Sequence, residues 1–232
     1  MIIEMIVQDE VEAMQAEAYG ANRLELVSAI SEGGLTPSYG TIKRVLKSTH
    51  LPVQIMIRPH SNGFVYRDFD WEVMKEDISI IKELGGTGIV FGALNSDGSI
   101  DEQLLEKVIK HASGLDITFH RAFDEVTSQQ EAYKTLTQYK YEIKRILTSG
   151  GKASCADATK ELKWLVEQSR LTGGPAILPG SGLSPENIAT VHQQVDAKEY
   201  HFGSGVRLEK SFHHGFSEDA IKQIRRTLEG TN

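Results

Sequence analysis

The chain opens with the sequence MIIEMIVQDEVEAM, residues 1–14, in which an aliphatic run passes directly into a helical pattern. Residues 2–7 are rich in β-branched side chains and predict a strand. Asp9 can cap the helix that follows over residues 9–19, because Val11, Met14 and Ala18 recur at helical spacing. The opening therefore predicts one strand followed by one helix.

The same unit recurs along the whole chain. Further aliphatic runs occupy residues 23–27, 52–57, 88–91, 116–119, 144–147, 176–178 and 199–202. Helical patterns follow them at residues 38–47, 69–84, 100–112, 129–139, 155–168, from Ser184 onward, and at 218–228. Strict alternation implies parallel strands with right-handed crossovers. Eight such units predict an α/β fold, a single (β/α)8 TIM-barrel-like domain over residues 1–232.

Composition excludes several classes of protein. Apolar residues make up 40% of the chain and charged residues 25%, as in ordinary globular proteins. Lys and Arg number 25 against 32 for Asp and Glu, so the net charge of -7 attracts neither nucleic acid nor anionic membranes. No segment has the roughly 20 apolar residues of a membrane span. A single cysteine and an opening without a signal-peptide pattern predict a cytoplasmic protein.

Polar residues at the carboxyl ends of the strands are the candidate catalytic groups, because active sites of such barrels lie there. These residues are Glu4, Glu25, Arg58, His120 and Asp124.

The two glutamates lie inside otherwise apolar runs, and a buried carboxylate requires a partner. The available partners are Arg23, Arg58, His120 and Arg121. The pair can act as general acid and base, or it can belong to a structural salt-bridge network. His120 is likewise either a group that titrates near neutral pH or a structural histidine.

Glycine-rich turns after the last three strands are the candidate ligand-binding segments. They comprise Ser149, Gly150 and Gly151, then Gly180, Ser181 and Gly182, then Gly203 and Ser204 with Gly205, and His201 precedes the last turn. Such barrels often bind phosphate between the loops that follow strands seven and eight. The alternative is that glycine serves only to turn the chain. The irregular stretch at residues 203–216 is long enough to be a lid or an interface loop.

No set of metal ligands is evident in the sequence. His213 and His214 lack carboxylate or cysteine neighbours at ligand spacing. Cys155 begins a helical pattern, where its pKa could be lowered, but without a neighbouring histidine the pattern favours an ordinary residue. We therefore predict no metal ligands and no firmly bound cofactor.

Several motifs together resemble the CutC family, which is named for copper homeostasis. They are ELVSA at 25–29, EGGLTPSYG at 32–40, MIRP at 56–59, FVY at 64–66, VFGAL at 90–94, TFHRAFD at 118–124 and LTSGG at 147–151. The resemblance implies a TIM-barrel-like fold, a cytoplasmic location, a homo-oligomer and a role in copper handling. Copper is the only cofactor it implies.

One departure from the family bears on copper. CutC proteins often carry cysteines at the positions of Ile6 and Val27. Cu(I) favours thiolate and thioether ligands, and this chain would depend on Met5, Met56 or histidines. We expect no tight Cu(I) site in the monomer.

Three interpretations remain open at this point. The first is a barrel whose mouth binds a small anionic or phosphorylated molecule and performs acid–base chemistry, which requires the polar groups to converge on one pocket. The second is a copper-binding or copper-trafficking protein, which requires clustered soft ligands. The third is a non-catalytic barrel that acts through interactions, in which the polar groups would be scattered and paired with one another. The fold class alone does not choose among them.

Overall fold

A computed structural model describes residues 1–230. Eight strands lie in the described chain, β1 Ile2–Val7, β2 Arg23–Leu26, β3 Val53–Met56, β4 Gly88–Phe91, β5 Asp116–Phe119, β6 Ile143–Thr148, β7 Ala176–Pro179 and β8 Glu199–Phe202. The helices that alternate with them are α1 Glu10–Tyr19, α2 Tyr39–Ser48, α3 Asp68–Glu83, α4 Glu102–His111, α5 Gln129–Thr137, α6 Thr159–Thr172, α7 Ile188–Val195 and α8 Glu218–Glu229.

The strands form a barrel. Every hydrogen-bonded pair is parallel, and the order runs β7-β6-β5-β4-β3-β2-β1-β8. The two strands at the ends of that order, β7 and β8, contact each other and complete the ring. The (β/α)8 prediction is confirmed, and all carboxyl ends of the strands lie at one mouth.

The first helix begins as predicted but buries a different face. The Asp9 side chain accepts a hydrogen bond from the Glu12 N–H at 2.9 Å and caps α1. Ala13 and Ala16 are buried against the barrel, whereas Val11 and Met14 are about half exposed. Small alanines let the helix approach the strands closely, so the longer aliphatic residues point away from the core.

Two helices start later than the sequence pattern predicts. The sixth helical pattern opens with a 3₁₀ turn at Cys155–Asp157, because the Cys155 N–H donates to the Ser181 carbonyl and holds this segment to the loop after β7. The seventh begins at Ile188 because the Ser184 N–H donates to the side chain of Asn187, which closes a local turn first.

The alternation of strand residues creates two different interiors. Strand residues that point outward, such as Met5, pack against the helices in the large apolar core. Phe91, Phe119 and Tyr200 are fully buried in the same core. Inside the ring, by contrast, buried charged and polar side chains predominate below a small apolar cluster of Ile6, Val27, Met56 and Val90. The polar interior places charged groups directly beneath the mouth.

Among residues 1–230, no helix combines the length and the apolar character needed to cross a lipid bilayer.

Candidate functional site

A cavity of about 240 Å³ opens at the mouth of the barrel. This volume lies below the usual range of drug-sized pockets and suits a small molecule. Its polar lining comprises Glu25, Arg58, His120, Arg121, Ser181, His201 and Ser204. The strands β2, β3, β5, β7 and β8 deliver these groups at or just beyond their carboxyl ends, as the fold requires.

Glu4, His201 and Glu25 form a line of buried groups at the bottom of the cavity. The Nδ1 of His201 lies 2.8 Å from Oε1 of Glu4, and an ionised carboxylate can only accept, so Nδ1 donates. The Nε2 of the same ring lies 3.6 Å from Oε2 of Glu25. No described residue lies within hydrogen-bond distance of the other oxygen of Glu25, Oε1.

The environments of the two glutamates push their pKa values apart. Burial raises the pKa of Glu25 to about 7, and the negative charge of Glu4 adds to this effect. Burial acts on Glu4 as well, but the guanidinium of Arg23 and the ring of His201 hold the pKa of Glu4 at about 2. Although burial opposes the charged ring of His201, the carboxylates of Glu25 and Glu4 raise its pKa. Glu25 can therefore take up or release a proton near neutral pH.

Arg58 carries a buried positive charge without a carboxylate partner. The residue is 7% exposed, and its Nη1 donates to the carbonyl oxygens of Glu32 and Gly34 at 2.8 and 3.2 Å. Its guanidinium lies 4.8 Å from the ring centre of Phe64. Within residues 1–230, no acidic side chain forms an ion pair with it and its Nε has no partner. A buried charge in this state favours an anionic ligand.

His120 presents a hydrogen-bond donor to the cavity. Its Nδ1 accepts the N–H of Ala122 at 3.1 Å, which places the ring proton on Nε2. Burial, together with the nearby charge of Arg58, lowers the pKa of His120 to about 3, so the ring stays neutral. The Nε2 is buried and has no partner among the described residues.

The charges at the opposite end of the barrel interior are fully paired. Arg23 contacts both Glu4 and Glu199, and Arg145 contacts Glu199 at 3.3 Å and Asp116 at 2.8 Å. These residues lie at or near the amino ends of their strands, away from the cavity. The network is structural, and through Glu4 it holds His201 in place.

The loops after β7 and β8 meet at the cavity as predicted. Ser181, Gly182, Gly203, Ser204 and Gly205 line it, and His201 lies directly before the second loop.

Steric constraints at these loops explain two of the glycines. Gly182 has a φ of +73°, and a Cβ there would lie 2.4 Å from the Ser154 Oγ. A Cβ on Gly205 would lie 1.9 Å from the carbonyl oxygen of Leu183. Gly180 is not part of the lining, but a Cβ on it would lie 3.1 Å from the Cβ of His201.

The structure does not bring Asp124 and the loop after β6 to the cavity. The Asp124 carboxylate accepts the N–H groups of Ser149 at 3.0 Å and Gly151 at 3.2 Å, and Arg121 donates to it at 2.7 Å. An internal carboxylate therefore takes up the donors that we expected to face a ligand, and Gly150 packs against Ala158. Neither Asp124 nor these three loop residues line the mouth cavity.

Sequence reasoning missed the apolar wall of the cavity. It consists of Ile6, Met56, Phe64, Leu147, Leu183 and Phe212. Phe212 belongs to the long connection after β8, where it stacks under the guanidinium of Arg207, which is paired with Glu12. The motif around Phe64 was a usable signal, but no periodicity marks Phe212, because it reaches the cavity through loop geometry.

The residues present do not fit a Cu(I) site. The Sγ of Cys155 donates to the Ser181 carbonyl at 3.0 Å, and burial raises the pKa of this thiol to about 12. Met5 packs in the outer core and Met56 in the inner cluster, so their sulfurs do not pair. Ligand atoms of Glu4, Glu25 and His201 lie within 4.8 Å of one another, but oxygen and imidazole are hard or borderline donors.

Comparison with known proteins identifies relatives over most of the chain. The sequence pattern of the CutC family matches residues 1–206. A protein of Homo sapiens named copper homeostasis protein cutC homolog is 40% identical over 200 residues, which cover 86% of this chain and 72% of that protein. A CutC family protein of Agrobacterium fabrum is 39% identical over 201 residues, 87% of this chain and 78% of its own length.

Solved structures agree in fold. A CutC crystal structure from Streptococcus agalactiae superposes with a TM-score of 0.79 at 30% identity, covering 88% of this chain and 98% of that one. Phosphoribosylanthranilate isomerase from Thermotoga maritima superposes with a TM-score of 0.68 at 14% identity, covering 99% and 100%, which shows a shared fold alone. The CutC family pattern matches most of this chain, and relatives named CutC are about 40% identical to it. This chain therefore belongs to the CutC family.

Proposed function

We propose that this chain binds a small anionic molecule in the mouth cavity and transfers a proton to or from it. The observation that carries the proposal is a pair of buried, incompletely partnered groups in one cavity, Arg58 and Glu25. Burying either group without a partner destabilises the folded protein. A ligand with a negative charge and an exchangeable proton would pair with both groups.

Arg58 supports the anionic part of the proposal. Its guanidinium has no carboxylate partner among residues 1–230, whereas Arg121, the other arginine of the lining, is already paired with Asp124. Ser181 and Ser204 lie in the two loops that often bind phosphate in barrels of this fold. A phosphate or carboxylate would accept donors from both sides of the cavity.

Glu25 supports the proton-transfer part. A carboxyl with a pKa of about 7 is suited to act as acid and base at neutral pH. His201 contacts its Oε2, so Oε1 is the oxygen free to meet a ligand. Glu4, paired with Arg23, keeps the ring of His201 in the orientation that serves Glu25.

Calorimetric titration with inorganic phosphate and glycerol 3-phosphate tests the binding. We expect saturable heat for the wild type and binding about 10- to 100-fold weaker for Arg58→Met, because charged hydrogen bonds of this kind contribute about 1.5–3 kcal/mol. Arg58→Lys keeps the charge without the forked geometry and should bind with intermediate affinity.

Arg44→Met, which removes an arginine exposed on α2, is the matched control and should bind like the wild type. No heat with the wild type, or equal affinity in Arg58→Met, would contradict the proposal.

Copper binding is the second candidate function. The names of the relatives suggest it, and the closeness of Glu4, Glu25 and His201 is the observation that favours it. Two observations oppose it, since Nδ1 of His201 already donates to Glu4 and the guanidinium of Arg23 lies against the same carboxylate. Titration with Cu(II) and with Cu(I) separates the candidates, because tight binding lost in His201→Gln would favour copper over acid–base chemistry.

A further inference from the structure

His120 and Glu25 face one cavity with complementary unpartnered atoms. The Nε2 of His120 is a neutral N–H donor, and Oε1 of Glu25 is an acceptor, and both atoms are buried without partners among the described residues. The remaining polar groups of the cavity are positively charged arginines, loop serines and the ring of His201. The cavity thus offers one neutral donor and one carboxylate base together.

Such a combination matches one type of chemistry. Removing a proton from a carbon next to a carbonyl requires a base at the carbon and a donor at the carbonyl oxygen, where negative charge develops. A neutral imidazole is a suitable donor because it stabilises the oxyanion without giving up its proton completely. A cationic histidine would instead compete with Arg58 for the anionic group of the ligand.

We propose that the ligand is a small anionic carbonyl compound, with Glu25 as the base at its α-carbon and His120 as the donor to its carbonyl oxygen. This inference rests on the proposed function, which it narrows to one substrate class. Arg58 binds the anionic group, and the cavity of about 240 Å³ limits the molecule to a few carbon atoms beyond that group.

The step balances without a further reactant. Oε1 of Glu25 takes the proton from the α-carbon, and the C–H electron pair forms the C=C bond of an enolate. The carbonyl π pair moves to oxygen, where the Nε2–H of His120 donates a hydrogen bond. The carboxylic acid of Glu25 then returns the proton to the same carbon as the carbonyl re-forms, which regenerates the carboxylate base.

The backbone holds His120 in its role. The Ala122 N–H donates to Nδ1 of His120, so a flip of the ring would break this hydrogen bond. Phe64 packs at 4.8 Å between ring centres, and a Cβ on Gly92 would lie 2.5 Å from Nδ1. Gly92 therefore provides the space that this ring orientation needs.

Proton exchange with solvent tests the inference directly. The probe is dihydroxyacetone phosphate, a small phosphorylated α-hydroxy ketone, incubated with the protein in D₂O and followed by ¹H NMR for loss of its carbon-bound proton signal. Glycerol 3-phosphate, which lacks the carbonyl, is the matched binding probe in calorimetry.

We expect exchange with the wild type, loss of at least 100-fold in Glu25→Gln, and loss of about 100-fold in His120→Ala, as for removal of one oxyanion donor. His120→Gln retains an N–H donor and should recover part of the rate. Glu76→Gln and His50→Ala, both exposed, should exchange like the wild type.

Other outcomes would overturn the inference. Dihydroxyacetone phosphate that binds without exchanging rules out the proton transfer while leaving anion binding intact. Exchange unchanged in His120→Ala removes the donor role, and exchange unchanged in Glu25→Gln removes the base. Exchange that requires an added divalent ion and stops with EDTA would mean that a metal ion, and not His120, stabilises the carbonyl oxygen. If neither dihydroxyacetone phosphate nor glycerol 3-phosphate binds, the proposed function is overturned together with this inference.

Discussion

Two layers of charge inside one barrel have opposite states of pairing. In the lower layer, Arg23 and Arg145 each contact one carboxylate on a neighbouring strand, and both contact Glu199 across the barrel interior. At the mouth, Arg58 has backbone and aromatic contacts but no acidic partner among residues 1–230, and His120 keeps an unpartnered donor. Both layers are buried, so burial alone does not distinguish them.

The difference separates stability from ligand binding. Paired charges compensate their own desolvation, and removing one partner leaves another charge buried alone. Burying an unpaired polar group lowers the free energy of unfolding. Such a group is retained where the surrounding structure holds it in place and a ligand can pair with it. Glu4 connects the two layers, because Arg23 contacts one of its oxygens and His201 the other.

The lower layer should give the largest loss of stability. Arg23→Met removes the shared partner of Glu4 and Glu199, so that the fully buried Glu4 loses its arginine and Glu199 keeps only Arg145. We expect the free energy of unfolding to fall by about 3–5 kcal/mol. Urea denaturation measures this change, with Arg44→Met as the surface control that should leave the midpoint unchanged. A loss no greater than in that control would show that the lower layer is not structural.

The pH dependence of stability should reveal Glu25. Its pKa rises from 4.5 to about 7 on folding, so the folded state holds a proton that the unfolded state has released between these values. Unfolding then releases a proton in this window, and stability falls as pH rises through it.

Gln at position 25 cannot ionise, so the Glu25→Gln variant does not lose stability in this window. The free energy of unfolding of the variant minus that of the wild type should therefore rise by up to about 3 kcal/mol between pH 4.5 and about pH 8. Denaturation series at several pH values measure the gap. A gap independent of pH would place the pKa of Glu25 near its ordinary value.

Arg58→Met should change stability much less than Arg23→Met. The substitution removes hydrogen bonds to two carbonyl oxygens, but it also removes an uncompensated buried charge, and the two effects offset each other. We expect a change within about 1 kcal/mol of the wild type by urea denaturation. A loss as large as that in Arg23→Met would mean that Arg58 is structural and that the two layers do not differ.

The smallest effect concerns copper. Cys155 is buried and protonated, with its Sγ donating to the Ser181 carbonyl, so it does not supply a thiolate. In a competition titration against a Cu(I) chelator, wild type and Cys155→Ser monomers should both fail to take up the metal. Strong one-to-one binding that survives the substitution would show that other ligands of this barrel hold Cu(I).

The arrangement of strands and helices was readable from the sequence. Eight aliphatic runs alternating with helical patterns predicted the barrel, because period and chain order are local properties. The carboxyl-end rule then placed Glu25, Arg58, His120 and His201 at one mouth, where the structure has them. Buried carboxylates at Glu4 and Glu25 also implied partners, since such groups are not buried alone.

Which partner each group received was decided only by the tertiary structure. Asp124 and the loop after β6 looked like parts of a ligand site, yet the carboxylate folds back onto the Ser149 and Gly151 N–H groups. Arg23 and Arg58 have the same chemistry in the sequence, but only Arg23 meets carboxylates, because closure of the barrel places Glu4 on β1 and Glu199 on β8 beside it. Electrostatic pairing acts over a few ångströms between residues distant in the chain, and closure of the barrel alone determines those distances.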